Sequence, residues 1–180
     1  MNLKAKLVPV GEINEDVLSS ISKGVETVFD FAFDGVVIGE IMFLPSQAYD
    51  PKREQYRASS ILKRLSKSKS SRVKVLGVTA EDLYSRDLNF VFGQAQKPGD
   101  LALISLHRLK PEFWGDEKDK GLFLKRAVKE AVHELGHTFG LDHCDDRKCV
   151  MTFSNRIGHT DRKKASFCER CEKKIEQGGG

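Results

Sequence analysis

Residues 133–143, HELGHTFGLDH, constrain this chain more than any other stretch, because they place three histidines and a glutamate at spacings that suit one metal ion. Helical residues four apart share a face, so His133 and His137 can present imidazole nitrogens to the same ion. Glu134 follows the first of them, with a side chain long enough to hold a water over the metal. Gly140 can take the positive φ that ends a helix, and the chain can then turn back to bring in His143. Three neutral imidazoles leave tetrahedral zinc with one open position for water, the arrangement of a catalytic site. A lone His-Glu-x-x-His is a weak signal. The added glycine and third histidine make a non-metal reading a poor competitor.

All four cysteines come after this motif: Cys144, Cys149, Cys168 and Cys171. Cys168-Glu-Arg-Cys171 has the two-residue gap of structural zinc pairs, and Cys144 with Cys149 gives a second, slightly wider pair. Four thiolates make a closed tetrahedral site with no room for a substrate water. Two disulfides, an iron–sulfur cluster or four unconnected buried thiols are the alternatives. Disulfides suit an exported chain, and the N-terminal MNLKAKLVPVGEINED lacks the apolar core and small-residue cleavage site of a signal peptide. The expectation is two zinc ions per chain, one catalytic and one structural, in a cytoplasmic protein. His143 and Cys144 are adjacent, so one peptide unit would tie the two ions together and the second would anchor the turn carrying the third histidine.

The chain has 180 residues, 39% hydrophobic and 31% charged, enough for one domain with a real core. We expect a single unit over 1–180, with a sheet and active-site helix in 1–142, a small C-terminal subdomain in 143–177, and a disordered tail at 178–180. The C-terminal part is too short for its own apolar core, a separate reason to expect a metal staple. No apolar run reaches membrane-spanning length. The net charge of +4 is mild, and the basic stretch 63–74 lacks interleaved aromatics, which favours a solvated helix end over a nucleic-acid surface. A monomer is expected.

Hydrophobic periodicity predicts a strand at 4–10, a helix at 15–29 capped by Asn14, and an apolar, central strand at 35–44. A second helix should start at Asp50-Pro51 and run to about 66, followed by a strand at 73–78. Residues 88–95 and 101–106 read as strands joined by the tight Lys97-Pro98-Gly99-Asp100 connection, which favours a local antiparallel pair. A long helix over 119–139 carries the histidines. Its Arg126, Glu130, His133 and His137 form a polar face that can open into a cleft, and Glu130 is a candidate partner for a ligand imidazole. Residues 158–161 read as a turn and 164–175 as a short helix holding the last two cysteines.

HELGHTFGLDH resembles the zinc signature of the metzincin clan of metallopeptidases. Its continuation through Cys144, Cys149, Met151, Cys168 and Cys171 is similar to the archaemetzincin family. The resemblance implies a metzincin-like α/β fold: a twisted mixed sheet of about five strands with an antiparallel edge strand, packed by helices, plus a small zinc-stapled C-terminal subdomain. It implies that His133, His137 and His143 hold the catalytic zinc, that Glu134 is the general base, and that Met151 lies beneath the metal. It also implies that residues 88–95 form the edge strand above the cleft, to which an extended peptide adds by backbone hydrogen bonds. The stretch after the methionine would line the pocket on the leaving-group side, with Phe153 and Ile157 as apolar walls, Asn155 as a polar contact and His159 as a further candidate. Several metzincin families carry a tyrosine shortly after this methionine, but here no tyrosine follows Tyr84. The implied activity is peptide-bond hydrolysis. The alternative is a zinc-dependent peptide-binding or regulatory protein with little or no turnover. Endopeptidase and aminopeptidase remain open, with Glu112, Asp116 and Glu117 as acids that could meet a substrate amine.

Overall fold

The computed structural model describes residues 3–178. Its main sheet has five strands in the order β2-β1-β5-β8-β7, formed by Lys4–Val10 (β1), Val36–Ile38 (β2), Val73–Thr79 (β5), Gly93–Ala95 (β7) and Leu101–Ser105 (β8). β1 pairs in parallel with β2 and β5, and β5 with β8, while β7 runs antiparallel to β8 at one edge. This is the mixed sheet with an antiparallel edge strand that the sequence implied. A second, three-stranded sheet, Tyr49–Asp50 (β3), Gln55–Arg57 (β4) and Leu83–Tyr84 (β6), was not anticipated.

Strand alternation sorts the apolar residues onto two faces. Ala5, Leu7, Leu76, Val78, Ala102 and Ile104 face the helices Glu15–Val28 (α1) and Lys120–Thr138 (α3). Val8, Val10, Val75, Leu101 and Leu103 face the helix Ala58–Leu65 (α2), whose Ile61, Leu62 and Leu65 complete a second core. Two shorter helices follow α3, Ile157–Arg162 (α4) and Glu169–Gly178 (α5). α1 starts at its expected cap, with the Asp16 amide donating to Asn14 Oδ1 at 2.9 Å. α3 starts in the same way, the Leu122 amide donating to Asp119 Oδ1 at 2.9 Å.

Four expectations change. The apolar stretch 35–44 is an edge of the sheet and not its centre: only Val36–Ile38 pair as a strand, and Val37, Ile38, Ile41 and Phe43 are exposed. A continuous apolar run reads as a buried strand, but among the described residues no strand pairs with its outer side. Helix α2 begins at Ala58 and not at Asp50-Pro51, because 50–57 folds back as the β3–β4 hairpin. Residues 158–161, expected as a turn, lie within α4, Ile157–Arg162. Gly178, expected in the tail, is the last residue of α5, while 179–180 lie outside the described residues.

Gly24, an apparent weakness inside α1, marks a close helix crossing. A Cβ there would sit 2.5 Å from Val128 Cγ1 on α3. Alanine improves helix propensity by roughly 1 kcal/mol, but forcing a methyl into a packed contact costs about 1–3 kcal/mol. Gly24→Ala should therefore lower the thermal midpoint, and adding Val128→Ala should restore most of the loss. A Gly24→Ala protein that melts higher than the parent would show that the helices can part without cost.

Candidate metal centres and the cleft

His133 and His137 sit one turn apart near the end of α3. The helix stops where Gly140 takes φ +85°, with its amide bonded to His137 O at 2.9 Å, as the sequence implied. The reversal returns His143 to the other two, and one nitrogen from each of the three rings lies within 4.8 Å of the others. Each buried ring is oriented by a backbone carbonyl: His133 Nδ1 donates to Val150 O at 2.8 Å and His137 Nδ1 to Leu141 O at 2.7 Å. A carbonyl can only accept, so both Nδ1 atoms carry the proton and both Nε2 atoms present lone pairs. Those two Nε2 atoms are 3.1 Å apart. Two facing lone pairs repel unless a cation lies between them, and tetrahedral zinc at its usual bond lengths separates such nitrogens by about 3.3 Å. The donor set fits zinc.

Electrostatics agree. Burial pushes the His133 imidazole well below its usual pKa, and burial likewise lowers His137 and His143. The shifts all favour the neutral imidazole, the form a metal needs, most strongly at the buried His133, with the exposed His143 the least constrained. Glu134 is buried beside them. Burial raises its carboxyl well above the usual range, with the nearby Glu130 adding to the shift.

The four cysteines also converge. Their sulfurs lie within 4.8 Å of one another, and all four are free thiols. Cys144 Sγ and Cys168 Sγ are 3.8 Å apart, the spacing of about 3.8 Å that a tetrahedral zinc thiolate site requires. The amides of Met151 and Cys168 both point at Cys149 Sγ, at 3.5 and 3.3 Å. Burial pushes the Cys149 thiol up to about 11 and Cys171 higher still, whereas at Cys144 burial is outweighed by hydrogen bonds from the Asp146 backbone and Arg170, which lower it; a cation would be needed to deprotonate Cys149 and Cys171.

Met151 is fully buried, and a Cβ at Gly136 would meet its Sδ at 2.5 Å. The thioether therefore packs directly against α3 at Gly136, one residue before His137. Gly93 marks a second close approach. A Cβ there would lie 2.5 Å from Glu134 Cγ and 2.7 Å from Leu103 O, so the edge strand rests directly on the glutamate.

These groups open into a cleft of about 830 Å³, lined by His133, Glu134, His137 and His143, by 85–95, and by Phe153, Ser154 and Asn155. Of the expected pocket residues, Phe153 and Asn155 line it, and the Phe153 ring is 4.9 Å from that of His143. Ile157 and His159 do not line it: Ile157 packs against the main core, and both belong to α4. Residues 88–95 do form the rim, although only Gly93–Ala95 pair as a strand. Glu112, Asp116 and Glu117 lie off the lining.

The polar face of α3 differs from expectation. Arg126 is buried and forms a forked pair with Asp161, at 2.7 and 2.8 Å, and Lys129 Nζ donates to the carbonyls of Thr160 and Asp161 at 3.0 Å. Glu130 lines the cleft but bonds no histidine; its Oε1 takes Lys163 Nζ at 3.1 Å and Thr160 Oγ1 at 3.0 Å. Sequence reasoning missed Lys163 because it sits in a basic run, Asp-Arg-Lys-Lys, that reads as surface. Val150 was also missed, since a carbonyl leaves no mark in a sequence.

The family model described as Peptidase family M54 matches residues 15–177. A protein named archaemetzincin from Pyrococcus furiosus is 46% identical over 175 residues, spanning 95% of this chain and 91% of that protein. Another from Methanocaldococcus jannaschii is 41% identical over 179 residues, 99% of this chain and 96% of its own. The crystal structure of archaemetzincin from Methanopyrus kandleri aligns with a TM-score of 0.88 at 41% identity, covering 98% of this chain and 95% of that one. That of a zinc-dependent peptidase from Methanocorpusculum labreanum aligns with a TM-score of 0.86 at 30% identity, covering 95% and 99%. With its match running from 15 to 177, this chain belongs to peptidase family M54.

Proposed function

We propose that this chain is a zinc-dependent peptidase in which His133, His137 and His143 hold the catalytic ion and Glu134 acts as general base. The observation that carries the reading is the pair of opposed imidazole lone pairs beside Glu134, open to a cleft under a free sheet edge. A zinc ion held there supplies a Lewis acid that polarises the scissile carbonyl and activates water. Glu134 takes the proton of the attacking water and passes it to the leaving amine. Its burial raises its proton affinity, which suits a group that must accept a proton and then give it up. The second, closed set of Cys144, Cys149, Cys168 and Cys171 would hold a structural zinc, making two per chain, and Met151 would support the first site from below.

The substrate is a peptide. Phe92 O accepts from the Ser105 amide and the Gln96 amide donates to Leu101 O, so the residues flanking β7 on either side bond inward to β8. Antiparallel alternation turns the backbone groups of Gly93 and Ala95 outward to the cleft, where an extended chain can pair with them. One chain supplies every cleft group, so a monomer suffices, and four free thiols fit the reducing cytoplasm. No described helix is long and apolar enough to cross a membrane. The cleft lies between the 1–142 part and the 143–177 part, which act as the two sides of one unit. Nothing favours the alternative of a peptide binder without turnover.

Glu134→Gln should keep its metal and lose at least about a hundredfold in kcat, in line with removal of a general base. Peptide hydrolysis by that variant at the parental rate would remove the carboxylate from the mechanism. For metal content, quantitative analysis of the folded chain should give two zinc ions. A chelator should first remove the histidine-bound ion, leaving a folded, inactive protein with the thiols still protected. One ion with all four thiols reactive would refute the structural site, and iron with sulfide would replace it by a cluster.

Selectivity follows from the wall beside His143. Phe153 is 47% exposed, so its ring is available to a substrate side chain. Trimming Phe153 to Ala or enlarging Asn155 to Gln should reorder the cleavage of a peptide library read by mass spectrometry, with zinc content intact. Trimming Ile157 should leave that order alone. An unchanged order after both cleft substitutions would move selectivity to the 85–92 rim.

A further inference from the structure

Lys163 is completely buried and has no part in the chemistry above. Its Nζ lies 3.1 Å from Glu130 Oε1 and 3.4 Å from His133 Nδ1. The ammonium thus stands between a carboxylate and the first histidine of the metal set. Glu130 and His133 are three apart on α3 and share a face. Without the ammonium, that carboxylate would be the strongest acceptor near the Nδ1 proton. Instead the proton goes to the neutral carbonyl of Val150 at 2.8 Å, while Glu130 is also held by the Thr160 hydroxyl.

The choice of partner matters to a metal. Ligating histidines donate their second ring proton to a carboxylate, a carbonyl or water, and a carboxylate partner makes the imidazole more basic. A more basic ligand gives the ion more electron density, holds it more tightly and leaves it a weaker electrophile. A carbonyl does this less, and a neighbouring cation opposes it further.

We propose that Lys163 is a positioning residue that keeps the Glu130 carboxylate away from His133, so that the first imidazole retains a neutral carbonyl partner and the ion it binds stays strongly electrophilic. The inference rests on the reading of His133 as a zinc ligand. Stability alone is a weak reason for this arrangement. Buried ion pairs are commonly neutral or unfavourable relative to well-packed apolar residues. α4 is in any case already clasped to α3 by Arg126, Asp161 and Lys129.

The test is zinc affinity of the histidine site, measured by chelator competition on the full chain with the cysteine site loaded, alongside kcat and KM on one peptide. Lys163→Met frees the carboxylate, so zinc should bind about tenfold more tightly while kcat falls about tenfold and KM changes little. In the double variant Lys163→Met with Glu130→Gln there is no carboxylate to hold off, and zinc affinity should return to within about threefold of the parent. Should the single variant fail to fold with its unpaired carboxylate, the double variant decides alone. Weaker zinc binding in the folded single variant, a loss of tenfold or more in the double, or failure of both to fold would overturn the proposal and leave the pair as scaffold. His133→Ala controls for the underlying reading: a chain that keeps all its zinc after that change has no ligand at 133, and the peptidase assignment fails first.

Discussion

Two imidazole nitrogens with their lone pairs turned on each other, 3.1 Å apart, are the constraint around which this molecule is arranged. A bare protein has no reason to hold them so. The carbonyls of Val150 and Leu141 fix each ring through Nδ1, burial keeps both rings neutral, and Gly140 reverses the chain to bring in the third nitrogen. The repulsion is relieved only when a cation is shared, so metal binding and local order are one equilibrium.

That equilibrium reaches the second metal set through two backbone paths. The first is the His143–Cys144 peptide. The second runs through Val150, whose neighbour Cys149 belongs to the sulfur cluster. The Val150 amide donates to Ser166 O at 3.0 Å and the Lys164 amide to Lys148 O at 2.9 Å, so residues 148–150 and 164–166 lie side by side. Val150 O then orients His133. A cation among the thiols would thus fix the carbonyl that aims a ligand of the other cation. The C-terminal part adds Val150, Met151, Phe167 and Ile175 to the main core, and this pairing and the α3–α4 clasp tie it down further.

Much of this was legible in the sequence. The seven ligand candidates, Glu134, Met151 and the antiparallel edge strand all emerge from spacing or family likeness, since metal coordination demands fixed residue types at fixed intervals. The cap Asn14 was equally clear, because an N-terminal turn advertises its acceptor, whereas Asp119, read as part of its helix, proved to be the cap. What stayed hidden depends on contacts between distant segments. Residues 35–44 look like a core strand because their neighbours in space are unknown to a periodicity argument. Lys163 looks like solvent-facing charge until Glu130, far earlier in the chain, is found against it. Ile157 and Phe153 have equal claims to a pocket wall by composition, and only the turn of α4 separates them. Backbone acceptors such as Val150 O leave no sequence trace at all.

The register of the sheet edge finally decides what a substrate meets. Gly93 pairs opposite Ile104, and its missing side chain is what lets Glu134 lie against the strand. A slip of one residue would put Gln94 over the glutamate and turn the outward backbone groups of β7 back toward β8. The strand is only three residues long, so three pairs alone do not secure that register. The rim ahead of it supplies the rest. Gln55 Nε2 bridges Asp82 Oδ2 and Asn89 O at 2.9 and 3.0 Å, and Arg108 forks onto Asp82 while its guanidinium covers the Phe90 ring at 4.2 Å. The unanticipated three-stranded sheet, through β4 and β6, is where Gln55 and the neighbours of Asp82 are placed. Its role is to hold the approach to β7 in the one alignment that sets free backbone groups directly above the buried carboxylate.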